Sequence, residues 1–464
     1  MISLSSREFT LELAKFVAEL MYEDIPPEVV ARTKLAILDA LGIALGAYGT
    51  QHSLVKAVVN IAQISSQVKE STIIGDGRKV SCLEASWANS TLANVLDFSD
   101  GHFAAGHIND RVVPPALAVA ERGHATGKEF LTSVLAGYEV YIRLAYSMFK
   151  TTDPASLRTP YFVALGPIAV SASAGKLLGL APRQIAGAMG LASSIQVCGA
   201  QYATSGGNEK DLTPGHESRR GVLAAMLAGE GVMGSTDILE GSRGLGKALS
   251  DGFEPDELIK GLGRGYKITD CYFKPYSACK YLHSSIEAAS KVWQKHRPDP
   301  EEIEKITITT NAASASRANY DIKSHVSAIF SHPYQVAVAL REGGSDLPIY
   351  WEKKMKDGVI GRLLEKTKMV PDPKFDEMYK NRLKNGATWP AEVTVQMKNG
   401  AIYRETVMNP KGDPQSPMSP EEVHEKFIAL ASMTLPRGKV DRVIDTIANL
   451  DSIEDVNRLS SFLS

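Results

Sequence analysis

The sequence predicts a mainly α fold: a large all-helical domain built from both chain ends, with a smaller α+β lid domain inserted between them. Three observations predict it. Before Gly263, apolar side chains recur at helical spacing and strand signals are nearly absent. After Gly265, period-two alternation appears, as half-buried strands require. Near Ser419, a helix-start signature returns. The boundaries read as residues 1–267 for the first helical part, 268–408 for the lid and 409–464 for the helical return. A chain of 464 residues exceeds one ordinary core, which agrees with two domains.

Taken in order, Phe9, Leu13, Phe16, Val17 and Leu20 mark a first helix over 9–21. Further helices are predicted over 28–47, 112–122, 127–149, 166–179, 182–195 and 216–230, and their glycines and alanines suit close packing. Pro114 and Pro115 suit a first helical turn. Thr72-Ile73-Ile74 is a weak strand signal, whereas Lys305-Ile306-Thr307-Ile308-Thr309 alternates cleanly. Val393, Val395 and Met397 alternate with Thr394, Gln396 and Lys398; Asn399-Gly400 then predicts a type I′ turn into a partner strand over 402–407. Ser419 caps the next helix, Pro420 takes its first position and Glu422 closes a capping box.

Composition removes several function classes. The formal net charge is −2, so no global basic field exists to hold nucleic acid or an anionic membrane. An anionic substrate must be held by a few local cations. Cys82, Cys198, Cys271 and Cys279 form no Cys-x-x-Cys pair, so no metal or cofactor is expected and the thiols read as reduced. The N-terminus lacks a signal pattern, and no stretch reaches the roughly 18 apolar residues of a membrane span. A cytoplasmic protein is the expectation.

Three segments concentrate chemistry. The first runs from Ala88 to His107 and ends an apolar run with Asp97, Asp100, His102 and His107. Asp97 can orient an imidazole and His107 can move a proton near neutral pH, although the aspartates equally suit backbone capping. The second, from Gly206 to His216, is a polar loop leading into a helix that starts near His216; Lys210 beside a helix N-terminus can hold an anion, or simply face water. The third, from Cys271 to His283, carries Lys274, Tyr276, Cys279, Lys280 and His283 at the junction of the predicted domains, where clefts favour ligands. A stiff aromatic hinge is the plainer reading of the same residues. Ser331-His332-Pro333-Tyr334 is read as packing, with His332 an outside candidate.

Together these segments resemble the MmgE/PrpD family, which includes 2-methylcitrate dehydratases, cis-aconitate decarboxylases and iminodisuccinate epimerases. The resemblance rests on Leu38-Asp39-Ala40-Leu41-Gly42, on Asn89 to Asp100, on Gly137-Tyr138-Glu139-Val140 with Arg143, and on Gly175 to Leu180. It continues through Lys274-Pro275-Tyr276-Ser277-Ala278-Cys279-Lys280-Tyr281-Leu282-His283 and Ser331 to Tyr334. It implies the same domain plan, a homodimer, and a small carboxylate substrate. It puts Asp97, His107, Lys210 and Lys274 on catalytic positions. Asp100, His102, Tyr276, Cys279, Lys280 and His283 are taken as substrate-binding. The chain departs from the decarboxylase-like pattern at Pro160 and Cys279, where histidines are usual, and at Gly101 and Thr213.

The three chemistries share negative charge on a carbon beside a carboxylate. The leading expectation is a metal-free lyase of the 2-methylcitrate dehydratase type, acting on a small hydroxylated di- or tricarboxylate. The alternatives are an epimerase of a substituted succinate, a cis-aconitate decarboxylase-like enzyme, and a non-catalytic helical binding protein. In each catalytic reading, Lys210 and Lys274 neutralise substrate carboxylates and His107, oriented by Asp97, moves the proton.

Overall fold

A computed structural model describes residues 7–149, 165–194, 199, 201–316, 318–344, 351–381 and 389–464. Pro160 and Cys198 lie outside the described residues, as does residue 195; the helix predicted over 182–195 ends at Ala192. The fold is mainly α. Phe9–Glu19, Pro27–Gly49, Ser53–Ile64 and Cys82–Val95 are followed by Asn109–Gly123, Gly127–Phe149, Gly166–Leu177, Pro182–Ala192 and Glu209–Gly229. No helix among the described residues is long and apolar enough to cross a membrane.

The buried apolar side chains form two cores. One draws on residues from Phe9 to Phe273 and again from Val423 to Leu463; the other draws on Ala278 to Val407. The chain ends meet where Pro27–Gly49 packs on Pro420–Ala431. Glycine permits that approach: a Cβ on Gly42 would lie 2.8 Å from the Phe427 ring, and one on Gly46 2.8 Å from Leu430. The return helix starts as its sequence dictates, with Ser419 and Glu422 forming a capping box and Pro420 at the first position.

The second core packs helices His283–His296 and His332–Glu342 on a four-stranded sheet. Its strands lie in the order Thr367–Pro371, Ile303–Thr310, Ala391–Met397, Ile402–Val407; the first pair is parallel and the others antiparallel. Ile306, Ile308, Val393 and Val395 point inward, as their alternation requires.

Three local expectations are corrected. The hairpin turn is not type I′, because Gly400 has φ +86° while Asn399 does not enter the left-handed region; Gly400 N donates to Met397 O, giving a longer loop closed by a left-handed glycine. The fifth helix begins at Asn109 rather than 112, so Pro114 and Pro115 lie inside it. Pro115 cannot donate to Arg111 O, and the Ser218 hydroxyl does so instead at 3.2 Å. The helix expected near His216 begins at Glu209, which puts Lys210 in its first turn.

Replacing Gly42 with Val should destabilise the protein by about 1–3 kcal/mol through overpacking against Phe427. Gly123→Ala, where nothing lies within 4 Å, should change stability far less. Urea denaturation of both variants checks the contrast; equal midpoints would contradict it.

Candidate active site

The site is built on the C-terminal end of the helix Cys82–Val95. Its start is capped by Ser81, whose hydroxyl accepts from Glu84 N. Asn94 O in its last turn accepts from Asp97 N at 2.8 Å, and side chains from distant segments reach this carbonyl and those of the residues that follow the helix. Lys210 Nζ donates to Asn94 O at 3.4 Å, the Ser277 hydroxyl to Leu96 O, Lys274 Nζ to Asp97 O at 2.8 Å, and Lys426 Nζ to Phe98 O at 2.8 Å. Three ammonium groups thus converge where the helix dipole is negative, the end that favours cations.

Asp97 leaves the helix with φ +48°, a left-handed conformation that aspartate tolerates better than most residues. Its fully buried carboxylate is shared. Lys210 Nζ lies 2.7 Å from Oδ1 and Lys274 Nζ 3.2 Å from Oδ2. His107 Nε2 stands 3.6 Å from Asp97 Oδ1 and 3.4 Å from Lys274 Nζ. The four residues expected to form the centre therefore meet. The expected division of labour changes, however. Asp97 is too far from His107 for a hydrogen bond and grips the lysines instead.

Electrostatics follow from burial and these distances. Burial works against the Asp97 carboxylate, but Lys210, Lys274 and His107 outweigh it and hold the carboxyl well below the usual range. Burial likewise opposes charge on Lys210, but Asp97 and Asp211 outweigh it and raise that ammonium above its ordinary value. For Lys274 burial wins, and the ammonium falls to about 8 despite Asp97. Burial and Lys274 push the His107 imidazole well below its ordinary value, so it is neutral near pH 7. Lys210 and Lys274 thus share Asp97, and the buried Asp211 carboxylate lies a further 3.8 Å from Lys210.

A two-residue hairpin, Gly101–His102 with Gly106–His107, carries the histidine. Gly101 exchanges two backbone hydrogen bonds with Tyr272, at 3.1 and 2.8 Å, which fixes the strand leading into Lys274 beside His107. Only glycine fits there: a Cβ on Gly101 would lie 2.4 Å from Gly106 O and 2.6 Å from the Tyr272 hydroxyl.

The remaining predicted residues divide. His283 is buried nearby; its Nε2 faces Ala278 O at 3.1 Å, the carbonyl that also accepts from Lys274 at 3.0 Å. Burial, with Lys280 and Lys274, keeps it neutral. Tyr276 packs edge-on against His283, with ring centroids 5.3 Å apart. Cys279 is buried and lies close enough to Lys274 to favour its charge. Lys280 is buried in an ion pair with Asp413 and sits over the Tyr272 ring, so its charge is committed inside the protein. Asp100 and His102 are not brought to the cluster by any described contact. Asp100 accepts from Asn109 N and the Tyr138 hydroxyl, and burial beside Asp39 raises it to about 7. His102 accepts from Ala104 N and meets the Tyr146 ring; burial lowers it to about 3. His332 is likewise packed, with Nδ1 at Ser285.

Sequence reasoning missed Lys426. It lies on the buried stripe Val423, Lys426, Phe427, Leu430 of its helix, and a lysine inside such a stripe was the available signal. Among the described residues no three His, Cys, Asp or Glu side chains cluster as metal ligands would.

Asp97→Asn should leave two buried ammonium groups without their counter-charge and lower the unfolding free energy by about 3–5 kcal/mol. An unchanged urea midpoint would contradict the pairing.

Two family models match this chain. The MmgE/PrpD N-terminal domain matches residues 11–258 and the MmgE/PrpD C-terminal domain residues 276–452. The chain is 26% identical to the cis-aconitate decarboxylase-like protein oryM of Aspergillus oryzae, over 98% of this chain and 97% of that one. It is 25% identical to the cis-aconitate decarboxylase of Aspergillus terreus, over 98% and 96% of the two chains. To that of Mus musculus it is 26% identical, over 98% and 93%. The chain belongs to the MmgE/PrpD family.

Proposed function

We propose that this protein is a lyase that forms a carboxylate-stabilised carbanion on a small di- or tricarboxylate. The observation that carries the reading is the convergence of Lys210, Lys274 and His107 on one buried carboxylate, Asp97. The two ammonium groups are the donors an anionic substrate meets. Its carboxylate shares the two lysines with Asp97, which holds them dry and aligned before binding. Preorganised donors of this kind are worth about 2.7–4 kcal/mol each where charge develops in the transition state.

His107 handles the proton. Lys274 can only donate toward Nε2 in its ammonium form, which leaves Nε2 the acceptor in that contact. The buried Nδ1 has no hydrogen-bond partner among the described residues; in this neutral tautomer it carries the ring hydrogen, so it gives a proton, to a leaving hydroxyl or to the carbanion, and the base that takes a substrate proton is another group. His107 and Lys274 touch, so this pair does not supply the bases on opposite faces of a substrate carbon that an epimerase requires. A lyase needs no such sandwich.

The finer reading is dehydration of a hydroxylated tricarboxylate of the 2-methylcitrate type. Cys279 stands where decarboxylase-like members carry a histidine, which favours a different leaving group. A second reading, loss of carbon dioxide from a cis-aconitate-like acid, is favoured by the relatives named above. Incubating the protein with 2-methylcitrate and with cis-aconitate, and following water loss against carbon dioxide release, separates them. Turnover of neither acid, nor of other small hydroxy-tricarboxylates, would sink the proposal.

With an active acid in hand, Lys274→Ala should lower kcat by about a hundredfold or more while the fold survives. Unaltered kinetics would remove Lys274 from the site. The pH profile has a defined shape. Lys274 loses its cation as pH rises through about 8, so kcat/KM falls above that point. His107 stays neutral well below the ordinary imidazole range, so no loss should occur near pH 6.5. A profile bending near 6.5 would contradict the assigned state of His107.

A further inference from the structure

Lys210 has two carboxylates within reach. Its Nζ lies 2.7 Å from Asp97 Oδ1 but also 3.8 Å from Oδ1 of Asp211, its own neighbour in the first turn of the helix Glu209–Gly229. Asp211 is fully buried. A buried carboxylate without other donors would pull strongly on that ammonium and draw it away from the site. Oδ1 accepts no hydrogen bond among the described residues, and the carboxylate is anchored through its other oxygen, which holds Oδ1 at that distance. That other oxygen accepts from Asn208 Nδ2 at 3.1 Å and from His325 Nε2 at 3.0 Å.

His325 reaches Asp211 from the chain segment of the second core. It begins the short helix His325–Ile329, capped by Ser324, and its ring meets the edge of His52 with centroids 4.5 Å apart. The Ser324 hydroxyl donates to Gly206 O at 2.9 Å, and Gly206, at φ +78°, has no room for a Cβ beside it. Residues 324 and 325 thus hold both ends of the turn from Gly206 to Asp211 that presents Lys210. Nothing in this arrangement requires a charged imidazole: a neutral ring with its hydrogen on Nε2 donates to the carboxylate.

We infer that His325 is a positioning residue: by anchoring Asp211 through Oδ2, it holds Oδ1 back from Lys210 and keeps that ammonium on Asp97 and available to a substrate carboxylate. The seating of the second core on the first is then read directly by the substrate-binding lysine. This inference rests on the carboxylate-binding role proposed for Lys210.

The test uses citrate as the probe and calorimetry on the intact protein. His325→Phe removes the donor and should weaken citrate binding by about tenfold, the effect of one buried hydrogen bond to a charged group. His325→Gln, which restores an amide donor, should recover most of the affinity. Asp211→Asn removes the competing charge, so adding His325→Phe to it should cost little more, and the two effects should be strongly non-additive. A crystal structure of the His325→Phe variant should find Lys210 Nζ moved toward Asp211. Unchanged citrate affinity in His325→Phe, no recovery in the Gln variant, additive losses in the double variant, or Lys210 still on Asp97 would each overturn the inference. Lys210→Ala separates the two levels. If it leaves citrate binding unchanged, the carboxylate role of Lys210 fails and this inference with it. If it weakens binding while His325→Phe does not, only the link through Asp211 fails.

Discussion

One buried carboxylate organises this molecule. Asp97 sits in a strained left-handed position at a helix end, without solvent, between two ammonium groups that come from separate parts of the chain. Lys210 rises from a helix of the first core, and Lys274 from the strand that leads into the second. The lysines and His107 hold Asp97 ionised against burial, and Asp97, with Asp211, holds the charge on Lys210. In the proposed reaction, these two ammonium groups are what a carboxylate substrate meets.

Behind this pair, other buried polar groups hold the same loop. Lys426 pairs with Asp39 at 2.7 Å and stacks over Phe98 while donating to its carbonyl. Asp39 in turn accepts from Asn109, whose backbone N–H donates to Asp100. On the other side, Asn94 donates to Asp110, which pairs with Arg111, and Arg111 pairs with Glu217 at 2.6 Å. Burial raises Glu217 to about 7 in spite of Arg111. These groups are too deep in the protein to serve as a substrate surface. Their effect is to fix the segment 94–109 and the hairpin bearing His107.

Much of this was legible in the sequence, and the parts that were not share a physical reason. Amphipathic spacing marked the helices, and Ser419, Pro420 and Glu422 marked the start of the return helix, because those signals depend on residues a few positions apart. Asp97, His107, Lys210 and Lys274 could be singled out because each sits in a polar break between apolar runs. Helix starts at Asn109 and Glu209 were missed because polar first turns look like loop; both prolines and the lysine were displaced with them. Asp100, His102 and Lys280 were grouped with the site by nearness in sequence, yet partners far along the chain, Tyr138, Tyr146 and Asp413, turn them to other tasks. The contacts of His325 with Asp211 and of Lys426 with Asp39 span more than a hundred residues, and no local pattern announces them.

The most direct measurement of the central claim is a crystal structure of the protein with an unreactive tricarboxylate such as citrate. The account predicts one ligand carboxylate within ion-pair distance of both Lys210 and Lys274, with Asp97 still paired and the Nδ1 side of His107 turned to the ligand backbone. A ligand bound elsewhere, with the Asp97 cluster closed and unchanged, would contradict it.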